Sequence, residues 1–321
     1  MYKRYVENEG WKFRDIQWRT ICRELRWGSF FVGILFGVGS AILVTQDPRN
    51  LSFELDDPRI SYPIRGNTVP AIVVILVPLA VWFIQSMLLE FWYLKRLNGN
   101  ISIAMFAMFN SLLRIVEQFL AVVFVQQAFA TLSGQLRPDF LAQCQPNDLL
   151  ECTNPNTHAV RDARKSYFSG HTSSPFSLIV FLMLDLIYAM YYRRHQLKNL
   201  LIESGEETHE NEMVWWKMDL IDAATFFWIA TSLTLSALVG MSRVIDNKHA
   251  REDVATGMFI GALFAIVFFP RYLFIAEVGL RKLRPNYPTL LPHHPDNFVE
   301  ESDPVKDSNP PNDQSIEHES V

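Results

Sequence analysis

The sequence predicts an all-α protein, a six-span transmembrane helical bundle, from two observations. Its apolar residues are gathered into six long blocks, and several blocks carry Phe, Trp or Tyr at their ends. A hydrocarbon core of about 30 Å requires roughly 20 apolar residues in a helix, and aromatic residues are enriched at membrane interfaces. The predicted spans cover approximately 27–45, 68–94, 115–135, 172–192, 220–241 and 254–273.

A soluble protein with buried helices is the alternative interpretation. It is disfavoured because soluble cores rarely need several apolar runs of this length. The first block follows 26 polar residues, so we expect a signal-anchor and not a cleavable signal peptide.

The blocks divide the chain into three parts. Residues 1–26 form a basic cytoplasmic segment, and residues 27–284 form the six-span core. Residues 285–321 are rich in Pro, Asn and acidic residues and poor in large apolar ones, so we expect a disordered cytoplasmic tail.

Lysine and arginine are concentrated on one predicted side of the membrane. They lie before the first span, in the second and fourth connections, and after the sixth span: Lys3, Arg4, Lys12, Arg14, Arg19, Arg23, Arg26, Lys95, Arg96, Arg193, Arg194, Lys198, Lys217, Arg281, Lys282 and Arg284. Because basic residues stay in the cytoplasm, both termini are predicted to be cytoplasmic. The first, third and fifth connections then face outward.

Two covalent features are predicted for these outward connections. Cys144 and Cys152 lie close together in the third connection, where an oxidising compartment favours a disulfide over two free thiols. Asn50 begins an Asn-Leu-Ser glycosylation sequon in the first connection. Asn100 begins a second sequon, which we expect to be silent because it lies on the cytoplasmic side.

Polar residues suited to phosphate chemistry cluster at the outward ends of the spans. Arg137 closes the third span, and Arg243 closes the fifth. The planar guanidinium group of arginine can donate two parallel hydrogen bonds to phosphate oxygens. Ser169 and Gly170 begin the fourth span, where free N–H groups and the helix dipole favour an anion.

Two histidines accompany these groups. His249 and Asp253 are four residues apart and therefore share a helix face. The carboxylate can bind one ring nitrogen and leave the other free to attack phosphorus. His171 can then protonate the departing oxygen. The set suits a phosphate monoester.

Each feature also has a structural interpretation. Arg-Pro often ends a helix, Ser169 is a good N-cap, and His249 with Asp253 could be a surface pair or two metal ligands. No third candidate ligand lies at a spacing typical of a metal site, and the nearby Arg and Lys residues would repel a cation. We therefore expect neither a metal nor a cofactor. The combination is more specific than any of its parts.

Three motifs give the chain a family resemblance. "SRVIDNKHAREDV" fits the signature S-R-x5-H-x3-D of the type 2 phosphatidic acid phosphatases, "YFSGH" fits their second signature, and "LRP" the end of their first. From about residue 27 to 280 the chain resembles the integral-membrane lipid phosphate phosphatases, which share a core with the vanadium haloperoxidases.

The resemblance implies a role for each matching residue. His249 would be the nucleophile that forms a phosphohistidine, oriented by Asp253, with His171 as general acid. Arg137, Arg243, Ser169 and the Gly170 amide would hold the phosphoryl oxygens.

The resemblance also implies an activity and a location. The substrates would be lipid phosphates in the membrane, of the class of phosphatidate, lysophosphatidate, sphingosine 1-phosphate and ceramide 1-phosphate. They would be hydrolysed without a metal at an extracytoplasmic site, in the plasma membrane or the endoplasmic reticulum and Golgi. No nucleic-acid partner is expected.

One position departs from the family pattern. The first signature has lysine seven residues before its arginine, where this chain has Ala130. Three interpretations of Ala130 are open. Lys165 or Lys248 could supply the missing cation, or the enzyme could have a lower rate or a narrower substrate range. Alternatively, the protein could be a catalytically impaired binding or scaffold member of the family. We favour retained activity, because both histidines, both arginines and Asp253 are present. A headgroup transferase that uses the same covalent histidine is a further alternative.

Two remaining features lie away from these ends. Asp185 lies well inside the fourth span, so it must be protonated or paired, and a structural role is favoured. The tail ends in Glu-Ser-Val, a weak candidate for capture by a cytoplasmic partner. A homo-oligomer stays open.

Overall fold

Long helices make up most of the protein, whose computed structural model describes residues 16–96, 101–195 and 215–283. The helices are α1 (Trp18–Glu24), α2 (Gly28–Thr45), α3 (Ala71–Arg96), α4 (Ile101–Ser133), α5 (Phe140–Cys144), α6 (Thr157–Asp162), α7 (Gly170–Ile187), α8 (Trp215–Ile245) and α9 (Arg251–Leu283). A π-helix, Tyr188–Arg193, continues α7. The described residues contain no β-strand, so the predicted all-α class is confirmed.

Five of the described helices, α3, α4, α7 with its π-helix, α8 and α9, are long and apolar enough to cross a membrane. The first predicted span coincides with α2, whose apolar stretch Phe30–Thr45 is shorter than these five. The five long helices have the length and composition of an integral membrane protein. The sixth crossing stays a prediction.

The third predicted span differs from the observed helix. We predicted a start near residue 115, but α4 begins at Ile101. Its additional turns include the buried polar residues Ser102, Asn110, Ser111 and Arg114, which lower the hydropathy of this segment. Packing within the bundle, which a hydropathy window does not detect, explains the longer helix.

The centre of the bundle is formed by α4, α7 and α9. Its buried core includes Ile115, Phe181, Leu182 and Ala265. Gly261 of α9 lies so close to α7 that a Cβ atom there would be 2.5 Å from the Ser173 carbonyl oxygen. The absence of a side chain at Gly261 thus allows α9 to pack closely against the first turn of α7.

The N-terminal helix α1 packs against one end of this bundle. Ile21 and Leu25 form a buried cluster with Phe106 of α4 and Leu280 of α9. The predicted cytoplasmic segment 1–26 is therefore partly a packed helix. Residues 1–15 and the predicted disordered tail lie outside the described residues.

The opposite end, here called the outer end, is where α2, α4 and α8 finish and α3, α7 and α9 begin. The three connections at this end contact one another. The Tyr62 N–H of the first connection donates to the Pro138 carbonyl of the third at 2.9 Å, and the Arg49 N–H donates to the Thr131 carbonyl in the last turn of α4 at 2.9 Å. The Lys248 ammonium pairs with the Asp139 carboxylate at 2.6 Å. These contacts bring together segments that are far apart in sequence.

Candidate active site

A cavity of about 360 Å³ opens at the outer end. Part of its wall is polar and includes Arg137, Asp162, Gly170, His171 and His249. The rest is largely apolar and is formed by Ala71, Val74 and Ile75 of α3 with Phe119 and Val123 of α4. A charged head and an apolar tail in one ligand would match these two kinds of wall.

His249 and Asp253 form a buried pair beside this cavity. The His249 Nδ1 atom lies 3.5 Å from Asp253 Oδ2, and the two residues are 4% and 0% exposed. Burial lowers the pKa of His249 below its ordinary value, although contact with Asp253 acts in the opposite direction. A neutral imidazole that faces a carboxylate through Nδ1 keeps its lone pair on Nε2.

Three donors fix the Asp253 carboxylate. The Ser166 hydroxyl donates to Oδ2 at 2.5 Å, the Ala250 N–H donates to Oδ2 at 3.2 Å, and the Gln135 amide donates to Oδ1 at 3.1 Å. Sequence reasoning missed Ser166 and Gln135, which are 87 and 118 positions from Asp253. Ser166 lies three residues before Ser169, and that proximity was the one available signal.

The beginning of α7 carries the Ser-Gly-His triplet. Ser169 is the buried N-cap residue, and its hydroxyl accepts a hydrogen bond from Thr172 at 2.9 Å. A Cβ atom on Gly170 would approach the Gln126 side chain to 3.1 Å. The Gln126 amide also holds the chain before the helix, because it donates to the Phe168 carbonyl at 3.1 Å.

The two arginines have partners of different exposure. The terminal nitrogens of Arg137 bind Asp162 at 2.8 and 3.1 Å, and the Asp162 side chain is 50% exposed. Arg243 donates to Asp246 at 3.2 Å and to Asn67 at 3.0 Å, and its side chain is 3% exposed. Ser169, Arg243 and Asp253 are buried and do not line the cavity.

Three nitrogen atoms of this group are buried without a hydrogen-bond partner in the described part of the chain. They are Arg137 Nε, Arg243 Nε and His171 Nε2. His249 Nδ1 faces Asp253 Oδ2 at 3.5 Å, at the limit of a hydrogen bond. Buried polar atoms without a partner are costly, and all three belong to residues that the sequence had already selected.

Neither predicted auxiliary cation is free in the structure. Lys165 lines the cavity, but its ammonium donates to the carbonyls of Leu43, Val44 and Gln46 at 2.8–3.1 Å, at the end of α2. Lys248 is paired with Asp139. Ala130 is fully buried. Both ammonium groups therefore bind other partners in this structure, and the replacement of the family lysine by Lys165 or Lys248 stays a prediction.

The two predicted covalent features lie in the same connections. Cys144 and Cys152 form a disulfide in the structure, with their Cα atoms 4.6 Å apart. Asn50 is exposed, and its glycosylation stays a prediction.

The protein is a bundle of apolar helices that carries two histidines, two arginines and a carboxylate at one end. These features describe a class of membrane protein whose site is suited to phosphate chemistry. The sequence profile of the PAP2 superfamily matches residues 111–275, a range that contains all seven predicted catalytic and phosphate-binding residues. The chain belongs to the PAP2 superfamily.

Curated relatives agree with this assignment. The chain is 28% identical over 256 residues to phospholipid phosphatase 1 of Mus musculus, covering 73% of this chain and 79% of that protein. It is 26% identical over 258 residues to a PA-phosphatase related-family protein of Dictyostelium discoideum, covering 74% of this chain and 61% of the relative.

A third relative matches a shorter region. The chain is 31% identical over 151 residues to "Probable diacylglycerol pyrophosphate phosphatase 1" of Schizosaccharomyces pombe, with 44% of this chain and 45% of that protein covered. No solved structure matches the chain.

Proposed function

We propose that this protein is a phosphoric monoester hydrolase that removes phosphate from membrane lipid phosphates. The observation that carries the proposal is the cavity at the outer end, where basic and imidazole groups meet an apolar wall. A lipid phosphate would place its headgroup near Arg137, His171 and His249 and its chains along α3 and α4. The relatives named as lipid phosphatases support the same substrate class.

The reaction would proceed in two displacements at phosphorus. His249 Nε2 attacks phosphorus, the bond to the lipid oxygen breaks, and His171 donates a proton to that oxygen. Water then attacks the phosphohistidine, passes a proton to His171 and releases inorganic phosphate. Asp253 binds the Nδ1 side of His249 and stabilises the positive charge that develops on the ring.

The remaining groups would bind the phosphoryl oxygens. Arg137 and Arg243 supply positive charge, and the start of α7 supplies the Ser169 hydroxyl and the Gly170 N–H group. These groups neutralise the developing charge in a largely buried site, where electrostatic stabilisation is strong. The proposed reaction uses no metal ion. The basic residues at the opposite end of the spans support an extracytoplasmic site.

A phosphate-release assay tests the proposal. Purified wild type in detergent should release phosphate from phosphatidate, lysophosphatidate, sphingosine 1-phosphate or ceramide 1-phosphate in buffer containing EDTA. His249→Ala should reduce release by about a thousandfold or more, because it removes the nucleophile. His158→Ala is the matched control, since His158 is an exposed histidine of the third connection. Undiminished release by His249→Ala would exclude the mechanism.

A catalytically impaired lipid-phosphate-binding protein is the second candidate. Two observations favour it: Ala130 stands where the family has lysine, and Lys165 and Lys248 both bind other groups in this structure. This candidate predicts that the wild type binds lipid phosphates in a direct binding measurement and releases no phosphate in the assay above. Measured wild-type turnover would exclude it.

A further inference from the structure

Residues 60–68 of the first outer connection, here called the strap, run between the two arginine-bearing segments of the site. At one end of the strap, the Ile60 carbonyl accepts from the Leu141 N–H at 3.0 Å, and the Tyr62 N–H donates to the Pro138 carbonyl at 2.9 Å. Pro138 directly follows Arg137. The strap is therefore attached beside the first arginine.

The second half of the strap is attached to the turn that follows Arg243. The Pro63 carbonyl accepts from the Asn247 amide at 3.0 Å, and the Arg65 guanidinium donates to the Ile245 carbonyl at 2.9 Å. Asn247 adopts a left-handed backbone conformation, with φ of 56°, which asparagine tolerates better than most residues. One short segment thus bridges both arginine-bearing segments.

The end of the strap contacts Arg243 itself. The Asn67 side-chain oxygen accepts from Arg243 Nη2 at 3.0 Å. Thr68 binds Asp246 twice, through its N–H at 2.9 Å and its hydroxyl at 2.5 Å. Asp246 in turn accepts from Arg243 Nη1 at 3.2 Å. The strap therefore holds the guanidinium directly through Asn67 and indirectly through Asp246.

These contacts restrict what Arg243 can do. A buried guanidinium is stable only when its donors are satisfied, and both terminal nitrogens are bound to Asn67 and Asp246. The Nε atom is buried without a partner in the described part of the chain. Because the guanidinium is planar and rigid, fixing two of its nitrogens also fixes the direction of the third.

We propose that Asn67 is a positioning residue of the phosphate site, which orients Arg243, and that Thr68 supports it through Asp246. The proposal rests on the proposed function in one respect, namely that Arg243 binds the phosphoryl group. It adds a segment outside the three family motifs to the site. Asn67 acts through Arg243 and needs no contact with the substrate.

Inorganic phosphate is the probe for the test. Its dissociation constant is measured with full-length protein in detergent from the dependence of the unfolding temperature on phosphate concentration, which requires no turnover. Asn67→Ala should raise this constant about tenfold, because a charge-assisted hydrogen bond that holds Arg243 is lost. Thr68→Val, which keeps the N–H donor and the side-chain shape, should raise it about threefold.

Ser61→Ala is the matched control on the same strap. The Ser61 hydroxyl donates only to the nearby Pro58 carbonyl, at 3.3 Å, so this variant should stay within about twofold of wild type. In turnover, Asn67→Ala should raise KM and lower kcat together, since Arg243 would bind both the ground state and the transition state.

The outcomes separate the two claims. Phosphate binding by wild type without turnover would reject the proposed function, and the ratio of dissociation constants would still test the strap. An Asn67→Ala constant within about twofold of wild type would overturn the positioning role. If Asn67→Ala does not fold, the phosphate dissociation constants of Thr68→Val and Ser61→Ala are compared instead. Equal constants for these two variants would overturn the role of the strap. Wild type that binds no phosphate would overturn both claims.

Discussion

The bundle contains two buried polar clusters, one at the outer end and one near the opposite end, here called the inner end. They differ in how their charges are satisfied. Near the inner end, Arg193 binds Glu90 with two hydrogen bonds at 2.6 and 3.1 Å. Asp185 accepts from the Tyr272 hydroxyl at 2.6 Å. The cavity beside these residues measures about 10 Å³, compared with about 360 Å³ at the outer end.

The difference shows what separates a structural polar cluster from a site. At the inner end Arg193 and Glu90 bind each other, Asp185 binds the Tyr272 hydroxyl, and almost no space is left. At the outer end Arg137, His171 and His249 line a cavity of about 360 Å³. The inner cluster contributes to the stability of the fold, whereas the outer cluster is suited to an anionic ligand. The predictions below test this contrast.

The largest expected effect concerns the inner pair. Glu90→Ala leaves Arg193 buried without its carboxylate, which should lower the free energy of unfolding by about 3–5 kcal/mol. The activity per folded molecule should stay unchanged, because the pair is remote from the cavity. Thermal unfolding and specific activity in detergent are the measurements. Glu54→Ala, at an exposed carboxylate, is the control, and a selective loss of activity in Glu90→Ala would contradict the contrast.

Ser166→Ala should have a smaller effect, on catalysis. Loss of the hydroxyl that donates to Asp253 should lower kcat about tenfold, because the carboxylate that orients His249 becomes less fixed. KM should change little, since the arginines stay in place. The measurement is steady-state kinetics together with trapping of the phosphohistidine.

Ser173→Ala is a matched control for that variant. Both serines are fully buried, but the Ser173 hydroxyl has no hydrogen-bond partner in the described residues. Equal effects of the two substitutions would show that Ser166 only fills space.

Asp162 provides a test in which a substitution should strengthen phosphate binding. Its carboxylate binds the terminal nitrogens of Arg137 and lines the cavity, so a phosphate dianion would have to bind next to it or displace it. Asp162→Asn should therefore lower the inhibition constant of inorganic phosphate about fivefold. Asp148→Asn, at an exposed residue of the same connection, should change nothing. A higher inhibition constant in Asp162→Asn would show that Asp162 serves mainly to hold Arg137.

The smallest expected effect is the pH response of the outer end. The pKa of His249 is lowered in the folded protein, mainly by burial, so the unfolded chain binds this proton more tightly. The contribution of His249 to stability is then complete above its ordinary pKa of about 6.5. It falls as the pH drops through that value toward the folded pKa. Unfolding temperatures at pH 5–8, compared between wild type and His249→Gln, should show a smaller acid-side decrease in the variant.

Kinetics should follow the same titration. The attacking imidazole must be neutral, so the acid limb of kcat/KM assigned to His249 should lie below pH 6.5. A limb above that value would contradict the lowered pKa.

Sequence reasoning predicted much of the fold and selected the candidate site residues, but it predicted few of the hydrogen-bond partners of those residues. The long apolar blocks indicated the spans because a hydrocarbon core imposes a minimum helix length. The motif residues could be selected because all of them lie at span ends on one predicted side. The early start of α4 at Ile101 was missed, because its buried polar residues lower the hydropathy.

The sequence by itself determined the helical class, the family, and the histidines, arginines and carboxylate of the candidate site, since each depends on composition or short spacing. Only the tertiary structure decided which partners these residues have. These partners are 87–176 positions away in sequence. Asp253 accepts hydrogen bonds from Ser166 and Gln135, Arg243 donates to Asn67, and Lys165 donates to the end of α2. Such contacts arise from helix packing and loop closure, which no local pattern of residues encodes.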